Sequence, residues 1–203
     1  MNIPAEISDK DDQSRAGGKA RRGRREAPGS RTRELLDWIK SLAIAFVIAI
    51  VLKLFVFDHT IVHGISMEPT LRSGERLFMN KIGYLLGGPG RGDIAVLVDP
   101  APSPGDGKYI VKRVIGLPGD TIEIRGGVLY LNGERLAEPY TDVAIAGPDF
   151  GPVTVEPGKV FVMGDNRRSG ASKDSRLFGT VPIGELRGKA EFILWPISRW
   201  EKL

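Results

Sequence analysis

Two hydrophobic patterns divide the chain. Residues 42–52 read LAIAFVIAIVL without a charge, and after Lys53 the run resumes as LFVF over 54–57. From Trp38 to Phe57 there are 20 residues, and a helix of that length spans about 30 Å, the thickness of a bilayer's hydrocarbon core. No stripe of period 3.6 marks a wet face, as a soluble amphipathic helix requires. Lys40 and Lys53 sit near the ends, where long side chains lift their ammonium groups to the interface, and Trp38 and Phe57 suit the boundary zones. The pattern predicts one membrane-spanning helix over 36–57.

Beyond it the apolar runs become short. IAVLV (94–98), KYIVKRVIG (108–116), DTIEIR (120–125), GVLYL (127–131), PVTVEP (152–157), KVFVMG (159–164) and AEFILW (190–195) are β-rich and bounded by Gly and Pro. Asn132-Gly133 is the signal of a type I′ hairpin. The spacing predicts a mainly β domain over 58–203, strand-rich and barrel- or sandwich-like, with no long helix. The apolar end FILWPISRW (192–200) is too short, and too broken by Pro196 and Arg199, to span a membrane. It reads as a last strand or as a segment touching a bilayer surface.

Composition agrees with many turns, since the 203 residues include 26 Gly and 14 Pro. With no cysteine, the chain has no disulfide, Cys metal site or thiol nucleophile. The net charge of +4 is unevenly spread. Arg15, Lys19, Arg21, Arg22, Arg24, Arg25, Arg31 and Arg33 face Glu26 alone over 13–33. A basic arm can bind nucleic acid, but a basic segment before an apolar helix is better read through the positive-inside rule. Residues 1–35 are therefore expected to be a disordered cytoplasmic tail, with the β domain outside the membrane and no nucleic-acid partner. A cleaved export signal fits less well, because no small-x-small site follows in FDHTIVHGIS.

Candidate chemistry is sparse. The two histidines, His59 and His63, have no HExxH pattern or carboxylate cluster, so no metal site is expected. His63 and Asp58 are near Ser66 in the chain, whereas triads assemble from separate elements. Ser66 lies in GISMEPTL (64–71), where a strand-like run meets Pro69, a residue suited to a first helical turn. Such a junction can present a hydroxyl and backbone N–H groups to an oxyanion; it equally suits a serine in an ordinary turn. A lysine base must lose about 3 pK units, on the order of 4 kcal/mol, to work near pH 7–8. Lys112, in YIVKRVIGLPGD (109–120), shares a strand face with Ile110 and Val114, opposite Arg113, Val111 and Ile115. An inward lysine has the required environment; an edge-strand lysine guarding against aggregation shows the same pattern.

Taken together, these segments resemble the type I signal peptidases. SMEPTL (66–71), RGDIAVL (91–97), YIVKRVIGLPGD and GDNRRSGASKDSRLFG (164–179) resemble four boxes of that family in order. GKAEFILWPISR (188–199) resembles its C-terminal strand, and the likeness covers about residues 38–200. It implies Ser66 as nucleophile and Lys112 as general base, with Ser172 bonded to the lysine. Arg113, Asp165, Asp174 and Arg176 would be supporting ion pairs, and Gly164 and Asn166 would shape the turn that delivers Ser172. The implied substrates are exported preproteins with small residues at the first and third positions before the cut. These would lie extended along Ile61–His63 and Tyr109–Val111, between walls formed by Val62, Ile110 and Val111. The bilayer is the second partner, and no cofactor is implied.

The sequence departs from the family twice. Gly64 stands where some members carry an oxyanion-binding serine, which shifts that work to the Ser66 N–H. RRSGAS lengthens the last box and leaves Ser169 as an alternative to Ser172. The stretch 120–164 is too short for the large inserted domain of some members. Two other readings stay open, a related Ser/Lys conjugation-type peptidase and a membrane-tethered, non-catalytic β-domain that binds exported proteins. Oligomeric state is not legible.

Overall fold

The computed structural model describes residues 30–105 and 107–203. The expectation of a disordered tail falls on residues 1–35, of which 1–29 lie outside the described residues. The chain divides into a unit ending at Ile44 and a unit from Ala45 to Leu203.

Helix α1 covers Ser30–Val51 and runs directly into a π-helical turn, Leu52–Val56. It therefore begins earlier than residue 36, and Phe57 is no longer helical. The large apolar side chains from Leu35 to Leu52 are exposed, Trp38 by 77% and Leu42 by 73%. Taken singly, no helix among the described residues is long and apolar enough to cross a membrane.

The rest is mainly β, in two antiparallel sheets. The strands are β1 (Phe57–Ile61), β2 (Arg76–Asn80), β3 (Ile94–Val98), β4 (Tyr109–Gly116), β5 (Thr121–Arg125) and β6 (Val128–Leu131). They continue with β7 (Glu134–Arg135), β8 (Phe150–Thr154), β9 (Lys159–Met163), β10 (Val181–Pro182), β11 (Leu186–Trp195) and β12 (Glu201–Lys202). The larger sheet runs β1-β2-β11-β3-β4-β9-β10 with β12 on β11; its order has two free ends, so it is an open half-barrel. The smaller sheet runs β7-β6-β5-β8. Short helices α2 (Ile82–Leu86) and α3 (Ser175–Phe178) and two 3₁₀ turns, Ile183–Glu185 and Ile197–Arg199, lie between the strands. The Asn132-Gly133 hairpin joins β6 to β7 with φ of 53° and 85°, both positive as a type I′ turn demands.

Strand β4 is the seam of the core, because its side chains point to two faces in turn. Ile110 and Val114 pack with Ala95, Leu97, Val160 and Val162. On the other face, Val111 packs against the cluster of Val62, Leu71 and Leu77, and Ile115 joins Ile122, Ile124 and Phe161 of the cluster beneath the small sheet. Each such aliphatic side chain, fully buried, contributes roughly 1.5–3 kcal/mol. Two charged residues, Lys112 and Arg113, are thus carried into the interior on a strand whose apolar neighbours fix its register.

Candidate active site

Strand β4 pairs with β3 along Tyr109–Arg113 but meets β9 only from Arg113 onward. Its Tyr109–Lys112 half therefore has no partner strand on that side among the described residues. The Ser66 loop follows β1. Val62 and Glu75 extend the β1–β2 pairing, and Met67 and Leu71, both essentially unexposed, nail the loop into the core. Residues 66–70 are turns rather than the start of a helix, with one bond from the Leu71 N–H to the Met67 carbonyl at 2.8 Å.

Two further bonds aim the serine. Asn166 donates its N–H to the Ser66 carbonyl at 3.0 Å and its Nδ2 to the Ile65 carbonyl at 3.0 Å. Asn166 thus tethers the serine loop directly, beyond the turn-shaping role anticipated for it. Among the described residues no hydrogen bond occupies the Ser66 N–H, which leaves it available to an oxyanion. Gly64 has φ 82°, a conformation in which any other residue is strained.

Lys112 Nζ donates to Ser66 Oγ at 2.7 Å and to the Val111 carbonyl at 3.0 Å. The residue is only 3% exposed. Burial pushes its ammonium down to a pKa of about 8, opposed by Asp174, Asp99 and Asp165 and assisted by Lys173. Once neutral, Nζ can accept the Ser66 proton along the same line. The hydroxyl's partner is thus a lysine and not a histidine. Asp58 pairs with Lys81 at 2.8 Å and its Oδ1 accepts the His59 N–H at 2.9 Å.

Ser172 is 8% exposed and Ser169 is on the surface, so of these two serines Ser172 is the internal one. Ser172 does not bond Lys112 as the resemblance implied; its Oγ donates to Asp174 Oδ2 at 2.8 Å. A Cβ on Gly164 would run into Ser172 Oγ and the Ser66 carbonyl, so only glycine lets these two segments of the site close. Arg113 grips Asp165 through Nε at 2.8 Å and Nη2 at 2.7 Å, and Arg176 grips Asp174 through both oxygens at 2.8 Å.

Ser66 and Lys112 open into a cavity of about 730 Å³. Ile110 lines it with His63, Ile65, Tyr109 and Ala171. Val62 does not; it is 3% exposed inside the core, and Val111 is half-buried against the same cluster. Sequence reasoning missed Arg167, among the largest fully buried side chains of the described residues, whose Nε donates to the Gly164 carbonyl at 2.8 Å while its Nη atoms hold both oxygens of Glu138. Arg167 was visible in the last box; Glu138, in the loop after β7, left no periodic signal. The pair Lys173–Asp99 was also missed.

A serine hydroxyl backed by a buried lysine on a β framework describes a serine hydrolase of the Ser/Lys kind. Comparison with known proteins narrows this. The family described as "Signal peptidase, peptidase S26" matches residues 35–195. "Signal peptidase I" of Bacillus licheniformis is 40% identical over 190 residues, covering 87% of this chain and 97% of that protein. "Signal peptidase I S" of Bacillus subtilis (strain 168) is 39% identical, covering 85% and 96%, and "Signal peptidase IB" of Staphylococcus aureus (strain N315) is 38% identical, covering 83% and 94%. A crystal structure of a signal peptidase I from Enterococcus faecalis V583 shares 35% identity at a TM-score of 0.41, over 50% of this chain and 95% of that one. The chain belongs to the signal peptidase, peptidase S26 family and is a serine endopeptidase, which sets aside the non-catalytic tether.

Proposed function

We propose that this chain removes signal peptides from exported preproteins, with Ser66 as nucleophile and Lys112 as general base. The observation that carries the reading is the 2.7 Å contact between a buried, readily neutralised ammonium and a serine hydroxyl. Neutral Lys112 takes the Ser66 proton as Oγ attacks the scissile carbonyl, and the Ser66 N–H receives the oxyanion. The lysine then protonates the departing amine. A water molecule, deprotonated by Lys112, resolves the acyl-enzyme. The unpaired edge of β4 at Tyr109–Lys112 supports an extended substrate held by strand addition. Ile110 and Ile65 at the cavity wall suit small side chains near the cut. Ser172, Asp174, Arg176, Arg113 and Asp165 hold the base and the turns around it.

The sign of the pH dependence tests the assignment. Only the neutral lysine works, so log kcat/KM for a purified preprotein should rise with unit slope up to about pH 8 and level off above it. A limb near 6.5, the value of an ordinary histidine, or a flat profile, is incompatible with Lys112 as base.

We propose further that the apolar half of α1 and the π turn act together as a single membrane anchor. Glu34, Asp37 and Lys40 fall in the first half of α1, and the apolar run passes from Leu42 out of α1 into the turn. From Trp38 to Val56 the two elements span roughly 28 Å of helix rise. The basic residues before the helix support a cytoplasmic N-terminus. In alkaline carbonate extraction the full chain should stay with the membranes, and its β domain should be cut by protease added outside spheroplasts. Release into the supernatant, or a shielded β domain, contradicts this topology.

A further inference from the structure

Three carboxylates stand around Lys112, and each has its own cation. Asp165 has Arg113 and Asp174 has Arg176. The third, Asp99, closes on Lys173, with Nζ 2.7 Å from Oδ2. The first two cations are guanidiniums with side chains 10% and 17% exposed; Lys173 is 31% exposed, while the Asp99 side chain is 1% exposed. Both members of this third pair line the same cavity as Ser66 and Lys112.

The placement follows from the chain. Asp99 is the residue after β3, and Lys173 lies between Ser172 and Asp174. Their bond joins the loop leaving β3 to the turn that carries Ser172. Lys173 also donates to the Ala101 carbonyl at 2.9 Å, and Asp99 Oδ1 accepts the Ala101 N–H at 2.9 Å, so the pair staples that loop along the cavity wall. A buried carboxylate without its cation favours the charged form of any nearby amine. Around Lys112 the charged groups are Asp174, Asp99, Lys173 and Asp165, with Arg113 paired to Asp165, Arg176 paired to Asp174, and His63 and Tyr109 also in the cavity lining. Lysine beside a second cation is a recognised route to a neutral amine.

We propose that Lys173 is the third neutralising cation of the site, a positioning residue that cancels the charge of Asp99 and so leaves Lys112 free to act as a base. This rests on Lys112 being the base. The test is the acid limb of kcat/KM on a preprotein for wild type, Lys173→Met, Lys173→Arg and the double variant Asp99→Asn/Lys173→Met. In Lys173→Met the limb should move up by about half to one pH unit, because Asp99 then acts alone. Lys173→Arg should keep the limb in place, and the double variant, which carries neither charge, should return it toward wild type. The limb is a ratio across pH, so its position does not depend on how much of each variant folds. A Lys173→Met limb coincident with wild type, or a double variant displaced as far as the single one, overturns the inference and leaves the base assignment standing. A wild type with no limb near 8 overturns both.

Discussion

Ser66→Ala is expected to lower preprotein turnover by on the order of 10⁴-fold or more, and Lys112→Ala by a similar factor. The two groups share one hydrogen bond of 2.7 Å and act in one proton transfer, so the double variant should be scarcely worse than either single one. Lys112→Arg should be as inactive as Lys112→Ala, since a guanidinium stays protonated at any working pH and cannot accept the serine proton. Neither side chain carries the core: Met67 and Leu71 hold the serine loop, and Val111 and Val114 hold the strand under the lysine. Ser66→Ala and Lys112→Ala should therefore unfold close to the wild-type temperature. Cleavage of a purified preprotein, followed by gel and by mass of the mature product, measures the effect. If either single variant kept a tenth of wild-type turnover, the dyad would be wrong.

How much of this site the sequence discloses depends on period. Along β4 neither sequence nor burial alternates, yet the two-residue period of any strand puts Ile110 and Val114 on one face with Lys112 and on the opposite face to Arg113, and the core clusters place the aliphatic residues accordingly. The β3 run has the same bounds in the sequence pattern and in the structure, Ile94–Val98. Strands β10 and β12, two residues each, are too short for any period to show. Strand β2 alternates in burial, yet it lies in ERLFMNK, where charged neighbours hide its period. Bonding partners are the least legible. Ser172 is expected on the lysine and is on Asp174, and Val62 is expected at a pocket wall and is in the core. Hydrogen bonds depend on a few tenths of an ångström between segments far apart in sequence, which pattern does not record.

The small sheet gains a role from the same contacts. Glu138, in the loop after β7, holds Arg167 through both oxygens, and Arg167 holds the Gly164 carbonyl. Tyr140, two residues on, lays its ring 4.0 Å from the Arg113 guanidinium. The turn carrying Gly164, Asp165 and Asn166 is thus fixed from beneath by the small sheet's loop and reaches Ser66 from the other side through Asn166. The serine is positioned by residues about 100 positions away in the chain, which is why rigidity of this one turn matters more than local propensity around Ser66.

The test of that turn is Asp165→Ala, the substitution expected to cost the most stability. Asp165 is fully buried and accepts three bonds, two from Arg113 and one from Thr70 Oγ1 at 2.6 Å. Its removal leaves the Arg113 guanidinium buried without its counter-charge, with the Gly92 carbonyl and the Tyr140 ring as its remaining partners among the described residues. Breaking one side of a buried pair costs about 3–5 kcal/mol, and in a chain of this size that lowers Tm by roughly 10 °C. The surface pair Arg168–Asp142, with side chains 53% and 43% exposed, supplies the contrast. Arg168→Ala should cost under about 1 kcal/mol. Thermal unfolding of both variants, followed by circular dichroism at one pH and salt, separates the cases. A drop in Tm of less than about 3 °C for Asp165→Ala, equivalent to roughly 1 kcal/mol, would show that Arg113 is compensated elsewhere and that the turn does not depend on this pair.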